Sequence, residues 1–480
     1  MNDGTWEMVV GLEVHVQLLT RTKLFCDCST EFGAPPNAHT CPVCLALPGA
    51  LPVLNEHAVR LAVRAAFALG CEVHSESVFA RKNYFYPDLP KGYQISQFDR
   101  PLATDGRLAL EDGADASRSV RIHRVHMEED AGKSIHDRYP GHSAIDLNRS
   151  GTPLVEIVSE PDIPSAADAG LYLRRLKQIL EYLEVSDANM EEGSLRVDAN
   201  VSVRERGSST LGTKTEIKNM NSFHGVEHAL EVEFARQVAQ VEAGERVVQQ
   251  TMLWDAGSGT VRPARSKEES HDYRYFPEPD LLPLRLTGEW LAAVRADIPE
   301  LPSARRQRFI DSFNLPAYDA EVLTSTRALG DYYEAVVRAL GESKAAANWV
   351  MGEVLARLKD AGISIGEFVV TPGRLAVLLG MVRDGIVSNS AAKTIFAQMA
   401  RSGEDPAVIA DREGLRQVGD DARLVAWIDE VLAAHPDEAG RFLAGEKKLL
   451  GVLVGQVMKA SGGKADPRKV NQLLAKRAGS

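Results

Sequence analysis

The sequence has little cysteine, no long apolar run and no excess of positive charge. Its five cysteines are too few for the disulfide framework of a secreted protein. The longest apolar stretch, Leu449 to Met458, is too short and too glycine-rich to span a bilayer. No basic segment followed by an apolar one opens the chain, so no signal peptide is indicated. These absences predict a cytoplasmic protein without a membrane partner.

Basic residues are outnumbered in the chain as a whole but not at its end. The net charge of −12 argues against a protein that coats nucleic acid without specificity. Between residues 441 and 480, however, nine basic residues stand against two acidic ones. An acidic enzyme body with a basic tail can still hold a polyanion at one end.

Several catalytic signatures are also missing. Gly132-Lys133-Ser134 resembles the end of a P-loop, but Met127 stands where the first glycine is required. The chain contains neither the nucleophile elbow of the α/β-hydrolases nor the helix signature of zinc proteases. Any phosphate site must therefore be built differently from a Walker site.

The pattern of apolar and polar residues changes along the 480 residues of the chain. We predict an α+β protein of three domains: a largely antiparallel β-sheet domain over 1–290, a helical domain over 291–401 and a basic helical tail over 402–480. Helices are also expected in the first domain, from Ser165 to Leu183 and from Ser222 to Ala243. Thr371-Pro372 and Asp466-Pro467 predict helix starts further on.

Four segments of the first domain alternate apolar with polar residues, as half-buried strands do. They are Val10–Gln17, Arg124–Asp130, Leu195–Arg204 and Thr215–Asn219. A polar face that is merely solvated explains any one of them. Their polar positions nevertheless carry carboxylates and an imidazole: Glu13, His15, Glu128, Glu129, Asp198 and Glu216. If the strands share a sheet, these groups converge and need a cation. Hard oxygen ligands suit Mg²⁺ that carries substrate phosphates.

Lysines lie near these carboxylates in the sequence. Lys82 and Lys91 flank an aromatic stretch, and Lys133 follows the acidic residues 128–130. Lysines beside metal-binding carboxylates indicate a nucleoside triphosphate site, where they neutralise phosphate charge. Packing in a core or loop is the alternative role for the aromatic residues.

Four of the five cysteines lie close together in the sequence. Two close pairs, Cys26 with Cys28 and Cys41 with Cys44, are separated by a short loop. This spacing is typical of a tetrahedral zinc site, although the first pair has one intervening residue rather than two. Four protein thiolates leave no open coordination position, so we predict a structural zinc. Free thiols are the alternative, and Cys71 stands apart as a small buried residue.

Long motifs throughout the chain resemble one family, the B subunits of the aspartyl/glutamyl-tRNA(Asn/Gln) amidotransferases (the GatB/GatE family). The motifs are GLEVHV from Gly11, RKNYFYPDLPKGYQISQ from Arg81, HMEEDAGK from His126, IVSEPD from Ile157, NMEEGSLRVD from Asn189, EIKNMNS from Glu216 and DYRYFPEPDL from Asp272. LVGQVMK from Leu453 is similar to the tRNA-binding tail of that family. The resemblance extends over nearly the whole chain.

This resemblance implies a cradle domain that uses ATP and Mg²⁺ to phosphorylate the side-chain carboxylate of Asp-tRNA(Asn) or Glu-tRNA(Gln). Ammonia then displaces the phosphate and leaves Asn-tRNA(Asn) or Gln-tRNA(Gln). A glutaminase A subunit supplies the ammonia, and a C subunit completes the heterotrimer. The activity implied is that of a glutamine-hydrolysing ligase of protein biosynthesis, active only as a complex.

The resemblance also assigns roles to residues. Magnesium would be held by members of the set Glu13, His15, Glu128, Glu129, Asp198 and Glu216. ATP phosphates would contact Lys82, Lys91, Lys133, Arg196 and Lys218. The tRNA backbone would contact Lys447, Lys448, Lys459, Lys464 and Lys469. Two rival functions stay open: a metal-dependent RNA-processing nuclease, and a tRNA-binding scaffold without catalysis.

Overall fold

A nine-stranded sheet organises the N-terminal part of the protein. The computed structural model describes residues 5–110, 118–264, 272–417 and 421–478. The chain divides into two units, Met1–Arg305 and Arg306–Ser480. Among the described residues, no helix combines the length and apolar character that crossing a bilayer requires.

The sixteen strands found among the described residues all lie in the first unit. They are β1 Trp6–Gln17, β2 Glu72–Val73, β3 Glu76–Ser77, β4 Phe79–Asn83, β5 Tyr93–Gln97, β6 Ala103–Ala109, β7 Ser119–Glu129, β8 Lys133–Tyr139, β9 His142–Asp146, β10 Pro153–Ser159, β11 Leu195–Glu205, β12 Thr215–Met220, β13 Thr251–Asp255, β14 Thr260–Pro263, β15 Phe276–Pro277 and β16 Leu284–Arg285. The large sheet has the order β14-β13-β12-β11-β1-β10-β7-β6-β2, and a three-stranded sheet has the order β15-β4-β5. The large sheet is antiparallel except between β12 and β13, as the predicted fold class required.

Helices α1 Glu56–Ala68, α2 Ala166–Tyr182, α3 Phe223–Glu242 and α4 Gly288–Ala296 belong to the same unit. The predicted helix starts at Ser165 and Ser222 are confirmed, because each hydroxyl accepts a hydrogen bond from a backbone N–H of the first helical turn. Such caps contribute about 1 kcal/mol each.

One face of the large sheet is the core of this unit. Leu12, Val14 and Val16 of β1 are completely buried and belong to one cluster with Leu173 of α2 and Leu230 of α3. Each side chain of this size contributes roughly 1.5–3 kcal/mol when buried. Since strand residues alternate, the opposite face of β1 is left to polar side chains.

The second unit is helical. Its elements are α5 Pro302–Phe313 (which begins in the first unit), α6 Ala317–Leu323, α7 Arg327–Leu340, α8 Ser343–Trp349, α9 Leu355–Ala361, α10 Pro372–Arg383, α11 Asn389–Ser402, α12 Pro406–Arg412, α13 Asp421–Ala434, α14 Pro436–Leu443, α15 Leu450–Ala460 and α16 Pro467–Ala478. The predicted starts at Pro372 and Pro467 are confirmed. The residues of this unit that the structure describes form two hydrophobic clusters, one drawn from residues 309–410 and one from 424–474. The predicted domain boundaries at 290 and 401 stay predictions.

Candidate active site

Polar side chains from five adjacent strands, β12, β11, β1, β10 and β7, meet on the face of the large sheet opposite the core. Glu13 pairs with Asp198 across β1 and β11. His15 pairs with Glu156 of β10, which pairs in turn with His126 of β7. Directly opposed residues of antiparallel strands share a face. The conditional prediction that the alternating segments share one sheet is therefore confirmed.

Two carboxylates and two imidazoles form the centre of this face, and we call Glu128, Glu156, His15 and His126 the acid–histidine cluster. His15 Nδ1 lies 3.1 Å from a Glu128 oxygen and 3.9 Å from a Glu156 oxygen. His126 Nε2 lies 3.3 Å from Glu156 and 3.8 Å from Glu128. The side chains of His126 and Glu128 are each only 3% exposed. Charged groups at this depth need partners.

The cluster keeps its carboxylates ionised. Burial would raise the pKa of Glu128, but hydrogen bonds with His126 and His15 hold that pKa well below its ordinary value. Burial would likewise lower the pKa of His126, yet the charges of Glu156 and Glu128 raise it to about 9. The charged ring of His126 thus offsets carboxylate charge, and the same carboxylates raise the pKa of His15 despite its burial.

The cluster also has the geometry of a cation site. Among the described residues, two acidic groups bring their possible ligand atoms within 4.8 Å of one another: Glu13, His15 and Glu156 form one, and His126, Glu128 and Glu156 the other. Glu156 is common to both. The carboxylate oxygens suit Mg²⁺, whereas imidazoles suit it less well and more often orient carboxylates.

Glu13 lies beside the cluster, among like charges. Its partner is neutral, since the Asn200 side-chain amide donates to it at 2.9 Å. Burial and the neighbouring carboxylate of Glu156 raise the Glu13 pKa. A cavity of about 240 Å³ opens next to it and is lined in part by Gly11, Asn200 and Lys214. A cation near Glu13 would relieve the repulsion and leave room for a substrate group.

Asp198, Glu216 and Lys218 form a separate charged triad. The Lys218 ammonium lies 2.6 Å from Asp198 and 3.0 Å from Glu216, and the two carboxylates raise its pKa despite its burial. Two of the predicted magnesium ligands and one predicted phosphate ligand are therefore ion-paired with one another.

Asp130 organises the end of the face next to β7. The Arg196 guanidinium donates to it at 2.8 Å, and the Gln17 amide donates at 2.8 Å from the other side. Arg196, a predicted phosphate ligand, is thereby held at the edge of the site.

Glu129 is directed away from its neighbour Glu128. It is a member of neither acidic group; it forms an ion pair with Lys91 and accepts the backbone N–H of Ile95 at 3.0 Å. Adjacent strand residues point to opposite faces. The structure therefore brings Glu129 and Lys91 together, but not with the other predicted ligands.

Lys82 reaches the cluster from β4 of the small sheet. Burial would lower its pKa, but Glu128 and Glu156 raise it, which shows that its ammonium lies within their field. Lys133, by contrast, is exposed on the β8–β9 hairpin. Of the predicted phosphate ligands, Lys82 and Arg196 both lie within the electrostatic field of Glu128.

The four clustered cysteines also converge. Cys44 Sγ lies 3.6 Å from Cys26, 3.7 Å from Cys41 and 3.8 Å from Cys28. Thiolates about 2.3 Å from a tetrahedral zinc lie roughly 3.8 Å apart. The completely buried Lys23 ammonium lies 3.3 Å from Cys44 Sγ. The donors therefore fit a zinc ion, and the buried Lys23 ammonium offsets part of their negative charge.

The five predicted tRNA contacts are all exposed in the second unit. Lys447 and Lys448 lie in a short 3₁₀ turn before α15, Lys459 ends that helix, Lys464 follows it and Lys469 lies in α16.

Sequence reasoning missed Glu156, His126 and Asp130 as site residues. Glu156 is the single charged residue in the largely apolar β10, which is a usable signal. His126 precedes Glu128 by two residues, so parity in the strand placed both on one face. Asp130 directly follows β7 and has the same parity as His126 and Glu128, so the alternation that identified Glu128 could also have identified it.

Comparisons with known proteins agree with this geometry. Residues 8–292 match the model of the GatB/GatE catalytic domain, and residues 331–477 match that of the GatB domain. The chain is 53% identical over 475 residues to the B subunit of the aspartyl/glutamyl-tRNA(Asn/Gln) amidotransferase of Geotalea uraniireducens, covering 98% of this chain and 99% of the relative. It is 51% identical over 474 residues to the corresponding protein of Myxococcus xanthus, covering 99% of each.

Proposed function

Because the chain belongs to the GatB/GatE family, we propose that it phosphorylates the side-chain carboxylate of aspartate or glutamate carried by a mischarged tRNA, with ATP as donor. A carboxylate oxygen attacks the γ-phosphorus, ADP leaves, and an acyl phosphate forms. Ammonia then attacks the acyl carbon, and phosphate leaves with the electron pair of the broken C–O bond. The relatives are named as the B subunits of amidotransferases, so the ammonia would come from a glutaminase A subunit, with a C subunit completing the heterotrimer.

The acid–histidine cluster carries this proposal. Glu128, Glu156 and Glu13 supply the oxygen ligands that fit Mg²⁺, and His15 and His126 hold the two buried carboxylates in position. Bound magnesium would neutralise phosphate charge and orient the phosphoryl group. No serine or cysteine nucleophile is needed, because positioning and charge neutralisation suffice for phosphoryl transfer.

Lys82 is the first candidate for neutralising the transferred phosphoryl group. Its ammonium already lies in the field of Glu128 and Glu156, where added negative charge would be stabilised. Lys218 and Arg196 would contribute once a phosphate competes with Asp198 and Asp130 for them. Because each basic side chain would exchange its carboxylate partner for a phosphate, nucleotide binding would be coupled to rearrangement of the polar face.

Two further parts support the proposal. The four-cysteine site would hold a structural zinc that fixes the loop between β1 and α1. The exposed tail lysines would contact the tRNA backbone, whose phosphates attract them without reading sequence.

The test uses the complex with its partner subunits, γ-labelled ATP, Mg²⁺ and mischarged tRNA. We expect release of labelled phosphate that depends on the attached amino acid, and a hydroxamate when hydroxylamine replaces ammonia and traps the acyl phosphate. Glu156→Gln should abolish both signals. Glu160→Gln, four residues further on and paired with the exposed His123, is the matched control.

Two outcomes would overturn the proposal. RNA cleavage under these conditions would favour the nuclease. ATP turnover that is absent with every combination of partners, together with intact tRNA binding, would favour the scaffold.

A further inference from the structure

Five aromatic rings form a continuous series on the three-stranded sheet and its flanks. Neighbouring centroids are 6.2 Å apart for Tyr86 and Tyr84, 6.1 Å for Tyr84 and Tyr273, 6.0 Å for Tyr273 and Tyr275, and 4.1 Å for Tyr275 and Phe98. We call these five residues the aromatic array. They come from two distant stretches of the chain, residues 84–98 and 273–275, so the array is a product of the fold.

The outer part of the array is not core. Tyr86 and Phe98 are 49% and 41% exposed, and Phe85 beside Tyr86 is 88% exposed. Single exposed aromatics are ordinary on protein surfaces. A connected series of them, partly open to solvent, instead marks a surface that binds something flat and apolar.

The middle of the array lies beside the candidate active site. Lys82 Nζ lies 4.9 Å from the Tyr273 ring centroid, and the same ammonium lies in the field of Glu128 and Glu156. A ligand bound along the rings would therefore pass close to the acid–histidine cluster.

The array is also held firmly in place. Arg81 donates to the completely buried Glu278 side chain at 2.8 and 2.7 Å. The Arg81 guanidinium lies 4.2 Å from the Tyr93 ring centroid. This bidentate pair fastens the segment that carries Tyr273 and Tyr275 to β4, and such geometry limits rotation of both partners. Rings ordered before binding lower its entropic cost.

We propose that the aromatic array stacks the unpaired bases at the 3′ end of the aminoacylated tRNA. This inference rests on the proposed function, because the amino acid that carries the reacting side-chain carboxylate is joined to the terminal nucleoside through an ester of its α-carboxyl group. Its reaction at the cluster would therefore bring the terminal base close to the cluster. Aromatic side chains bind single-stranded bases by stacking. The adenine of ATP offers one base, whereas the array offers several rings in series, which suits consecutive unpaired nucleotides.

The experiment compares Tyr86→Leu and Phe98→Leu with Tyr86→Phe in the complete complex. Tyr86→Phe keeps the ring, and Tyr318→Leu removes a 72% exposed tyrosine of α6 in the second unit as a matched control. Melting curves verify folding. We expect Tyr86→Leu and Phe98→Leu each to raise the KM for mischarged tRNA roughly 5- to 150-fold, which corresponds to the stacking energy of a single base. The KM for ATP should stay unchanged. Tyr86→Phe and Tyr318→Leu should behave as wild type.

A second readout separates this inference from the proposed function. With 2-aminopurine as the terminal base of the tRNA, binding to the wild-type complex should quench the fluorescence of that base. Tyr86→Leu and Phe98→Leu should reduce the quenching even if no phosphoryl transfer occurs. An effect on the KM for ATP alone would assign the array to the nucleotide and overturn the inference. Unchanged tRNA binding and quenching in both leucine variants would overturn it as well, whereas absent turnover in the wild type contradicts only the proposed function.

Discussion

Replacing His126 with glutamine should destabilise the first unit by about 3 kcal/mol near neutral pH. The rise of the His126 pKa from 6.5 to about 9 corresponds to about 3 kcal/mol of favourable interaction with the protonated ring. Removing one partner from a buried ion pair costs roughly 3–5 kcal/mol. The lower end applies here because His15 still contacts both carboxylates.

The sign of the pH dependence follows from the raised pKa. Protonated His126 stabilises the fold fully below about pH 6.5, and this contribution disappears as pH rises through about 9. Linkage gives a loss of about 2 kcal/mol between roughly pH 7 and pH 9 for the wild type relative to His126→Gln. Taking the difference between the unfolding free energies of the two proteins at each pH cancels the contributions of the other titrating groups.

Urea unfolding without added divalent cations provides the assay, read by pulsed hydrogen exchange of peptides from β7 and β10 so that the first unit is measured separately. His123→Gln, three residues earlier on β7 and 58% exposed, is the matched control and should change stability little. Equal pH slopes for wild type and His126→Gln across this range would refute a charged, buried His126.

Three other outcomes are expected. Cys44→Ser should lower bound zinc well below one equivalent and reduce the melting temperature, whereas Cys71→Ser, which lies outside the cluster, should keep the metal. A zinc-free wild type purified without chelators would contradict this. Glu13→Gln should weaken Mn²⁺ binding on the order of 10- to 100-fold, and wild-type binding should weaken as the pH falls, because Glu13 protonates at its raised pKa. The control is Glu7→Gln, which lies on the same strand as Glu13 and whose native side chain is paired with Arg204 of β11. Equal Mn²⁺ affinity in the two variants would contradict the role of Glu13. Lys459→Glu should weaken tRNA binding, and the slope of log K against log salt concentration should become shallower by the equivalent of roughly one to two phosphate contacts. An unchanged slope would count against a contact between the tail and tRNA.

Much of the fold was predictable because its signals are local. The alternation of Val14 and Val16 with His15 requires only that strand side chains point to opposite faces, and the cap at Ser165 requires one hydroxyl and one backbone amide. Identification of β1, α2 and the polar face needed no knowledge of distant residues.

The assembly of the site was less predictable because register depends on packing over the whole sheet. His15 and Glu128 are 113 residues apart, and nothing near either residue specifies their hydrogen bond. Glu128 and Glu129 were assigned together, although strand parity allows only one to face the cluster. Glu156 could not be identified from its own strand, because a single carboxylate in an apolar strand is recognised as a site residue only when the side chains on the adjacent strands are known.

The charge balance of the cluster explains how such a site can exist before its cation arrives. Two carboxylates without partners would be costly at the observed burial of Glu128 and Glu156, and the imidazoles of His15 and His126 offset that cost as their partners. A divalent cation would compete for these carboxylates with the proton of His126, whose pKa is raised to about 9. Cation binding should therefore release protons and become tighter as pH rises. His126 would then serve twice, as a stabilising cation in the free protein and as a neutral hydrogen-bond donor that orients the carboxylates once the cation is bound.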